Sequence, residues 1–454
     1  MNEFRIWIII FLVILLDIVA FSSVLPLFPL IFEYYNLVEK KKYGVHYFIL
    51  TTINNLCEIL NIPISQKFIS VLFGGLLGSL FSFLQFLSAP ICGYVADNYG
   101  RKPVLIVCML GISTSYYLWS QSICFSTFML SRIIGGLCKS NISILTTIAT
   151  DCSEPKDRGK IMALIGAAFS MGFIVGPLIG GIMASRYLKS NEVVSLSHYS
   201  YDMVAYLSLF LSILNLFLVY FFLPETLQNY KFNKHGSIWV IFKNIIRMKK
   251  VTDYINPYSL FTFRPCFTIS GIEKSKLQSL GCVYFLYLLL FSGMEFTLTF
   301  FTHLRFKYNS MDQGKMFCFI GFVMVIVQGG FLRQVPPCKE KKFALMALIL
   351  IIPANVIIAL SHNRLTFYTG LLIYSLSTSM AVPTLTSLVS YYGKQNQKGV
   401  VMGIHRSLGA LARTIGPLFF SFLFWSIGPT YCYLLGSILQ IIPPIVYYRN
   451  FLPN

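Results

Sequence analysis

The chain has 454 residues, of which 56% are hydrophobic and only 12% are charged. A soluble globular chain carries about 25% charged residues, so this composition excludes an ordinary soluble domain and indicates a membrane protein. The formal net charge is +19, but the basic residues lie mainly in short segments between apolar runs. We therefore expect no nucleic-acid partner, because nucleic-acid binding needs a concentrated basic patch.

Mostly apolar runs of roughly 20 residues, the length that crosses the hydrocarbon core, follow one another along the chain. They predict twelve membrane-spanning helices, spans 1 to 12, near residues 5–32, 70–92, 103–122, 124–150, 159–185, 201–223, 280–302, 314–333, 341–361, 365–391, 398–424 and 428–449. We predict an all-α integral membrane protein in which a basic cytoplasmic linker at 224–279 separates two six-helix bundles, 1–223 and 280–454.

The distribution of basic residues orients these spans. If the N-terminus is cytoplasmic, the cytoplasmic segments hold 22 of the 36 Lys and Arg residues and the outer loops hold 10. The positive-inside rule therefore predicts that both termini face the cytoplasm, in the plasma membrane or an internal membrane. Within the linker, Ser237–Val251 places apolar residues near one helical face. This pattern predicts an interfacial helix on anionic lipids, with an ordinary solvated linker as the alternative.

Two dipeptides at the start of and within span 5 have counterparts in span 11, each offset by 240 residues. The repeated pairs are Arg158-Gly159 with Lys398-Gly399, and Gly176-Pro177 with Gly416-Pro417. Span 11 is thus the counterpart of span 5, and we predict parallel halves with a substrate site between them near the midplane.

A short motif at the junction of spans 2 and 3 combines glycines with charges. Its residues are Gly93, Asp97, Gly100, Arg101 and Lys102. Gly93 permits close helix approach, and Asp97 can pair with a helix N-terminus or a cation. The motif resembles the loop 2–3 signature of the major facilitator superfamily, although Asn98 replaces a common basic residue. The resemblance implies a gating latch on the cytoplasmic side; the alternative is a chance polar loop.

Span 5 is rich in glycine and contains a proline. The residues concerned are Gly166, Gly172, Gly176, Pro177, Gly180 and Gly181. Missing side chains let helices pack backbone to backbone, and a proline bends the helix. The pattern resembles the antiporter signature of the drug/proton branch of the superfamily. The alternative is that Gly and Pro are simply frequent in membrane helices.

Four stretches resemble a narrower group, the tetracycline-transporter-like family. They are Leu16–Phe21, Val71–Gly78 with Leu84–Phe86, Tyr284–Gly293 and Arg406–Arg413. That family is described as exporting organic anions, so the resemblance implies such a substrate. Arg132 also resembles the span-4 arginine signature of the superfamily, with Gly135 in place of the usual glutamine, which weakens a specific role for Arg132 in proton coupling.

Charged residues within spans are the strongest functional signal, because each costs at least a few kcal/mol unless it is paired or faces a cavity. Six stand out: Asp17, Arg132, Lys139, Glu295, Arg406 and Arg413. Four cations against two carboxylates favour an anionic substrate. The alternative is static ion pairing that holds the bundle together.

These six residues have expected roles. We expect substrate binding by Lys139, Arg413, Arg406, Asp17 and Glu295, and coupling through Asp17, Glu295 and Arg132. A buried carboxylate can exchange a proton near neutral pH.

Two histidines need separate interpretation. His303 ends span 7 and is typical of an interfacial residue, with a proton relay as the alternative, while His405 could relay protons or act as a hydrogen-bonded structural imidazole. The sequence contains no Walker-type phosphate loop, hydrolytic triad or metal-ligand cluster. We therefore expect no enzymatic activity, cofactor or metal.

The remaining predictions concern function and partners. We expect a monomeric secondary active transporter that moves a small organic anion across the membrane by alternating access, through proton- or anion-coupled exchange or efflux. Membrane lipids are its expected surroundings. One alternative is efflux of amphiphilic cations or polyamines that use Asp17 and Glu295 as cation sites. An alternative of another class is a non-transporting membrane scaffold or sensor.

Overall fold

The structure is a computed structural model, and it describes residues 3–27, 31, 34–36, 44–59, 66–188, 199–227, 251–267, 269, 271–308, 310–392 and 397–451. Within these residues, twelve helices are long and apolar enough to cross a membrane. The predicted all-α fold with twelve spans is therefore confirmed. The predicted interfacial helix at Ser237–Val251 lies almost entirely outside the described residues and stays a prediction, as do the domain boundaries.

The first six spans form the N-terminal bundle. They are Glu3–Ser22, Gln66–Tyr99, Arg101–Ser120, Phe125–Cys138 with Asn141–Asp151, Arg158–Leu188 and Tyr199–Phe222. The second six spans form the C-terminal bundle. They are Gly271–Phe306, Ser310–Ile326, Pro337–Leu360, Arg364–Ser390, Lys398–Ile427 and Pro429–Leu439 with Ile442–Phe451.

Several helices extend beyond the predicted apolar segments. Span 7 begins at Gly271, well before the apolar run that starts near residue 280. Its first turns are polar and include Glu273 and Lys274, so the apolar run marks only part of the helix. The length of the apolar run indicates which residues cross the hydrocarbon core. It does not indicate where the hydrogen-bonded helix begins or ends. Among the described residues, three shorter α-helices, Val45–Ile59, Val251–Ile255 and Pro257–Phe261, lie between spans.

Span 4 is interrupted near its middle. Its first helix ends at Cys138 and its second begins at Asn141, with Lys139 at the break. Gln85 of span 2 donates a hydrogen bond from Nε2 to the Lys139 carbonyl at 3.2 Å. A broken helix is tolerated at membrane depth when neighbouring groups satisfy the freed backbone, and here the neighbour is Gln85.

Span 8 also departs from regular α-helix. It continues from Ile326 into a π-helical turn at Val327–Phe331, and Gln328 in this turn is buried. Its Oε1 accepts a hydrogen bond from Ser170 of span 5 at 2.8 Å, and its Nε2 donates to the Ser379 carbonyl of span 10 at 3.0 Å. Gln328 therefore joins the two bundles.

The two bundles meet most closely where span 2 crosses span 11. The start of span 1, the end of span 12 and the junction of spans 2 and 3 lie at one end of the molecule, which we call the latch side. Near that end a Cβ added to Gly403 of span 11 would lie 2.6 Å from the carbonyl oxygen of Ala89 in span 2. A Cβ added to Gly93 of span 2 would likewise collide with the carbonyl oxygen of Gly399 in span 11. Glycine is required here because the two helix backbones touch.

Candidate functional site

Asp97 lies at the centre of the latch-side contact between the bundles. Its buried carboxylate pairs with Arg101 and accepts hydrogen bonds from the backbone nitrogens of Gly399, at 2.9 Å, and Val400, at 2.7 Å. These nitrogens belong to the first turn of span 11, whose N–H groups have no partner within the helix. The positive end of the helix dipole adds to the attraction. The geometry thus places Asp97 of one bundle on a helix N-terminus of the other.

Further charges extend this contact. The Arg101 side chain is fully buried and donates from Nε to Asp151 at 3.2 Å. Asp151 also pairs with Lys398 Nζ at 2.9 Å, so two carboxylates and two cations from spans 2, 3, 4 and 11 form one network. The sequence analysis did not single out Asp151 or Lys398 as members. The only signal was an acidic residue at the latch-side end of span 4.

Glu225, which follows span 6, holds the loop in place. Its two carboxylate oxygens accept the backbone N–H groups of Arg101 and Lys102, each at 3.0 Å. Lys102 also donates from Nζ to the Tyr220 carbonyl at 2.7 Å. The N-terminus of span 3, which carries Arg101, is therefore capped by an acidic residue from the end of the same bundle.

A second carboxylate occupies the matching position in the other half. Glu340 of span 9 is buried, and its Oε2 accepts a hydrogen bond from Ser387 Oγ at 3.1 Å. Its Oε1 faces Gly159 at the start of span 5 so closely that a Cβ there would collide with it. Gly159 is the counterpart of Gly399 under the 240-residue offset. Sequence analysis missed this arrangement because span 9 carries no copy of the loop 2–3 motif.

The glycines of span 5 serve several packing contacts. Gly172 and Gly176 approach Ile18 and Ser22 of span 1, and Ser22 donates from Oγ to the Gly172 carbonyl at 2.9 Å. Gly166 instead lies against Gln328 of span 8. The remaining members, Pro177, Gly180 and Gly181, lie farther along the span, and nothing lies within 4 Å of a Cβ added to Gly181. The role of this motif in antiport stays a prediction.

Two of the six charges within the spans form a direct pair. Lys139 Nζ lies 2.8 Å from Asp17 Oδ2, and both side chains are about 95% buried, with relative exposures of 5% and 4%. The Lys139 ammonium also lies 4.9 Å from the centre of the Phe21 ring. Lys139, which we expected to bind substrate, therefore has its charge balanced by span 1 in this structure.

The charges of Arg406 and Arg413 in span 11 are not neutralised by a direct ion pair of this kind. Among the described residues, neither forms an ion pair within 4.0 Å. Arg406 lies 5.3 Å from the centre of the Phe169 ring, and Arg413 Nη2 lies 3.5 Å from Gln85 Oε1. Both side chains are half-buried. Glu295 is exposed and lies within electrostatic reach of Arg413.

The guanidinium of Arg132 lies against two aromatic rings. Its guanidinium carbon lies 4.9 Å from the Trp119 ring and 5.3 Å from the Phe128 ring, and its side chain is buried. Aromatic faces attract a guanidinium through their quadrupole. Arg132 and Arg406 both lie within electrostatic reach of Lys139, so the structure brings most of the predicted charges into one region.

The two histidines make ordinary hydrogen bonds. His405 is buried, stacks on Tyr284 with ring centres 3.8 Å apart and lies 3.1 Å from Thr386 Oγ1 through Nε2. His303 lies 3.1 Å from the Tyr308 carbonyl through Nδ1. These contacts favour the structural interpretation of His405 and an interfacial position for His303. Gln85, which contacts both the span-4 break and Arg413, is a further polar residue to which the sequence assigned no role.

Comparison with known proteins places the chain among membrane carriers. The sequence model of the Major Facilitator Superfamily matches residues 10–417. The chain is 39% identical over 445 residues to major facilitator superfamily domain-containing protein 10 of Homo sapiens, covering 97% of this chain and 92% of that protein. It is 25% identical over 352 residues to the class B tetracycline resistance protein of Escherichia coli, covering 77% and 78% of the two chains.

Solved structures agree with these relatives. The crystal structure of the human organic anion transporter MFSD10 (TETRAN) superimposes with a TM-score of 0.88 at 37% identity, covering 98% of this chain and 100% of that one. The proton:xylose symporter XylE shares the fold, with a TM-score of 0.69 at 14% identity and coverage of 99% and 96%. The twelve spans, the contact of Asp97 with the other half and these similarities lead to one assignment: the chain is a multi-pass membrane protein that belongs to the major facilitator superfamily.

Proposed function

We propose that this protein carries small organic anions across a membrane by alternating access, coupled to protons or to a second anion. It then acts as a carrier and not as an enzyme, with the latch side facing the cytoplasm. The observation that supports this proposal is the pair of half-buried arginines of span 11, Arg406 and Arg413, which have no carboxylate within 4.0 Å among the described residues.

The charge balance of the central region favours an anionic ligand. Asp17 neutralises Lys139, which leaves three arginines, Arg132, Arg406 and Arg413, with Glu295 as the remaining carboxylate of the predicted set. A partly desolvated cation without a partner is costly. A carboxylate or sulfonate of a ligand would offset that cost, and the planar guanidinium can bind it through two parallel hydrogen bonds.

The surroundings of these arginines favour an organic ligand over a small inorganic ion. Phe169 lies beneath Arg406, and Tyr284 lies within its electrostatic reach. Aromatic faces provide apolar contact area beside the charged group. We infer a ligand that combines one or more anionic groups with an apolar or aromatic body.

Lys139 and Arg413 come from opposite halves, and Gln85 contacts the Lys139 backbone carbonyl and the Arg413 side chain. A ligand that engages both would couple binding to a change in the packing of the two bundles. Asp17 then serves as the alternative partner of Lys139 when the ligand is absent. Glu295, which is exposed beside Arg413, is the carboxylate best placed to take up a proton in a coupled cycle.

The substrate class is also supported by relatives. One of the similar structures is that of a human organic anion transporter. Tetracycline resistance proteins are also similar, and together with the exposed Glu295 they favour a second candidate function, the efflux of amphiphilic cations.

Equilibrium binding to the purified protein separates the two candidates. We expect aromatic carboxylates to bind the wild type and Arg413→Gln to weaken that binding by about tenfold or more, since a hydrogen bond to a charged group contributes about 1.5–3 kcal/mol. Arg413→Lys should restore only part of the affinity because an ammonium lacks the planar fork. Unchanged affinity for every organic anion in both Arg413→Gln and Lys139→Gln would refute the assignment of the anion site.

A further inference from the structure

A cavity of about 410 Å³ opens on the latch side, away from the central charges. Its walls come from both bundles. Lys156 belongs to the loop between spans 4 and 5, whereas Lys341 belongs to the first turns of span 9. Leu280, Leu388 and Phe451 supply apolar wall, and Tyr392 lies beside them. The cavity therefore combines two cations with apolar wall residues, which we call its apolar floor.

Along the membrane normal, this cavity lies at the level of the membrane surface. Leu388 and Phe451 lie at the latch-side ends of spans 10 and 12, and Leu280 marks the start of the apolar part of span 7. Side chains at the ends of apolar spans lie at the level of the lipid headgroups and the adjoining acyl chains. A soluble anion would gain nothing from the apolar floor, whereas a phospholipid would cover it with acyl chain.

Both lysines of the cavity reach solvent. Lys156 pairs with Glu154 at 2.7 Å, but both side chains are more than half exposed. Exposed pairs of this kind contribute little and exchange partners readily. The Lys341 side chain is exposed. Burial and the nearby carboxylate of Glu273 raise the pKa of Tyr392, so its phenol keeps its proton and remains able to donate a hydrogen bond to a phosphate oxygen.

We propose that this cavity binds the headgroup phosphate of an anionic phospholipid between Lys156 and Lys341, with the acyl chain over Pro337 and Phe451. Basic pockets between spans on the cytoplasmic side are suited to such headgroups. The two lysines belong to different bundles, and the wall between them is closed by a hydrogen bond from the Tyr391 hydroxyl to the Pro155 carbonyl at 3.0 Å. A bound lipid therefore stabilises the state in which the latch side is closed.

The test measures the thermal unfolding midpoint of the detergent-purified protein. We expect phosphatidylglycerol to raise the midpoint by a few degrees and phosphatidylcholine to leave it unchanged. The double variant Lys156→Gln/Lys341→Gln should lose at least half of the gain. Lys342→Gln is the matched control, because Lys342 is exposed and adjacent in sequence but does not line the cavity.

Three results would overturn the proposal: an equal gain in the double variant, an equal gain from phosphatidylcholine, or an equal gain from inorganic phosphate, which would identify a soluble anion as the ligand. If the double variant does not fold, the single variants and native mass spectrometry decide. Competition between the two lipids should then favour phosphatidylglycerol on the wild type and do so less on Lys341→Gln. The same preference in both proteins would contradict the site.

Discussion

At the scale of single residues, the pair between Asp17 and Lys139 joins span 1 to the break in span 4. Its atoms are 2.8 Å apart and both side chains are buried. Removing one partner of a buried ion pair leaves an uncompensated charge, which typically costs about 3–5 kcal/mol. Loss of anion binding after neutralising Lys139 alone therefore has two possible causes, a missing ligand contact and an unpaired Asp17.

A double-mutant cycle separates these causes. We expect Lys139→Gln to lower the thermal stability of the protein more than the double variant Asp17→Asn/Lys139→Gln, because the double variant leaves no buried charge unpaired. The measurement is the unfolding midpoint in detergent for the wild type, both single variants and the double variant. Strictly additive losses would mean that the pair contributes no coupling energy.

At the scale of helices, the crossing of spans 2 and 11 depends on absent side chains. A Cβ added to Gly93 would collide with the Gly399 carbonyl, whereas nothing lies within 4 Å of a Cβ added to Gly78 in the same helix. We expect Gly93→Ala to hinder closure of the latch side and to slow transport. Gly78→Ala is the matched control and should leave transport unchanged, since alanine favours a helix over glycine by about 1 kcal/mol.

The measurement for this pair of variants is the accessibility of Cys152 at the latch-side end of span 4 to a membrane-impermeant thiol reagent. Labelling should be faster in Gly93→Ala than in the wild type because the latch side is less often closed. Equal labelling and equal transport in both glycine variants would show that the close crossing is not required for closure.

Asp97 connects the same two helices through charge. Asp97→Asn removes the negative charge that holds Arg101 and the first turn of span 11. We expect the closed state to become less populated and turnover to fall more than substrate affinity, because these contacts form in only one access state. The control is Asp157→Asn, whose exposed partner Lys160 lies in the same bundle. A loss of affinity without a change in state populations would contradict the role of a latch.

The same helices show what the sequence could predict. Apolar length and basic loops predicted twelve spans, and the loop 2–3 motif predicted that Asp97 pairs with a helix N-terminus or a cation. The partner of Lys139 could not be predicted, because either Asp17 or Glu295 satisfied the charge count and only the helix arrangement selects one. The break in span 4 was also hidden, since Lys139-Ser140 contains neither Gly nor Pro and is stabilised by Gln85 from another helix.

At the scale of the whole molecule, each bundle places a buried carboxylate at the start of a helix of the other bundle on the latch side. Asp97 of the first bundle meets the start of span 11, and Glu340 of the second bundle faces the start of span 5. The 240-residue repeat relates these two helix starts, although the carboxylates come from different sequence motifs. Of the two, only Asp97 accepts hydrogen bonds from the opposite helix start, whereas Glu340 accepts its hydrogen bond from Ser387 of its own bundle.

Transport itself is the most direct test of the central claim that this protein carries organic anions by alternating access. The measurement is counterflow of a labelled aromatic carboxylate into proteoliposomes preloaded with the unlabelled compound, with and without a pH gradient. We predict transient accumulation by the wild type, little by Arg413→Gln, and a change in net flux when the gradient is imposed. Accumulation of an amphiphilic cation but of no organic anion would contradict the account.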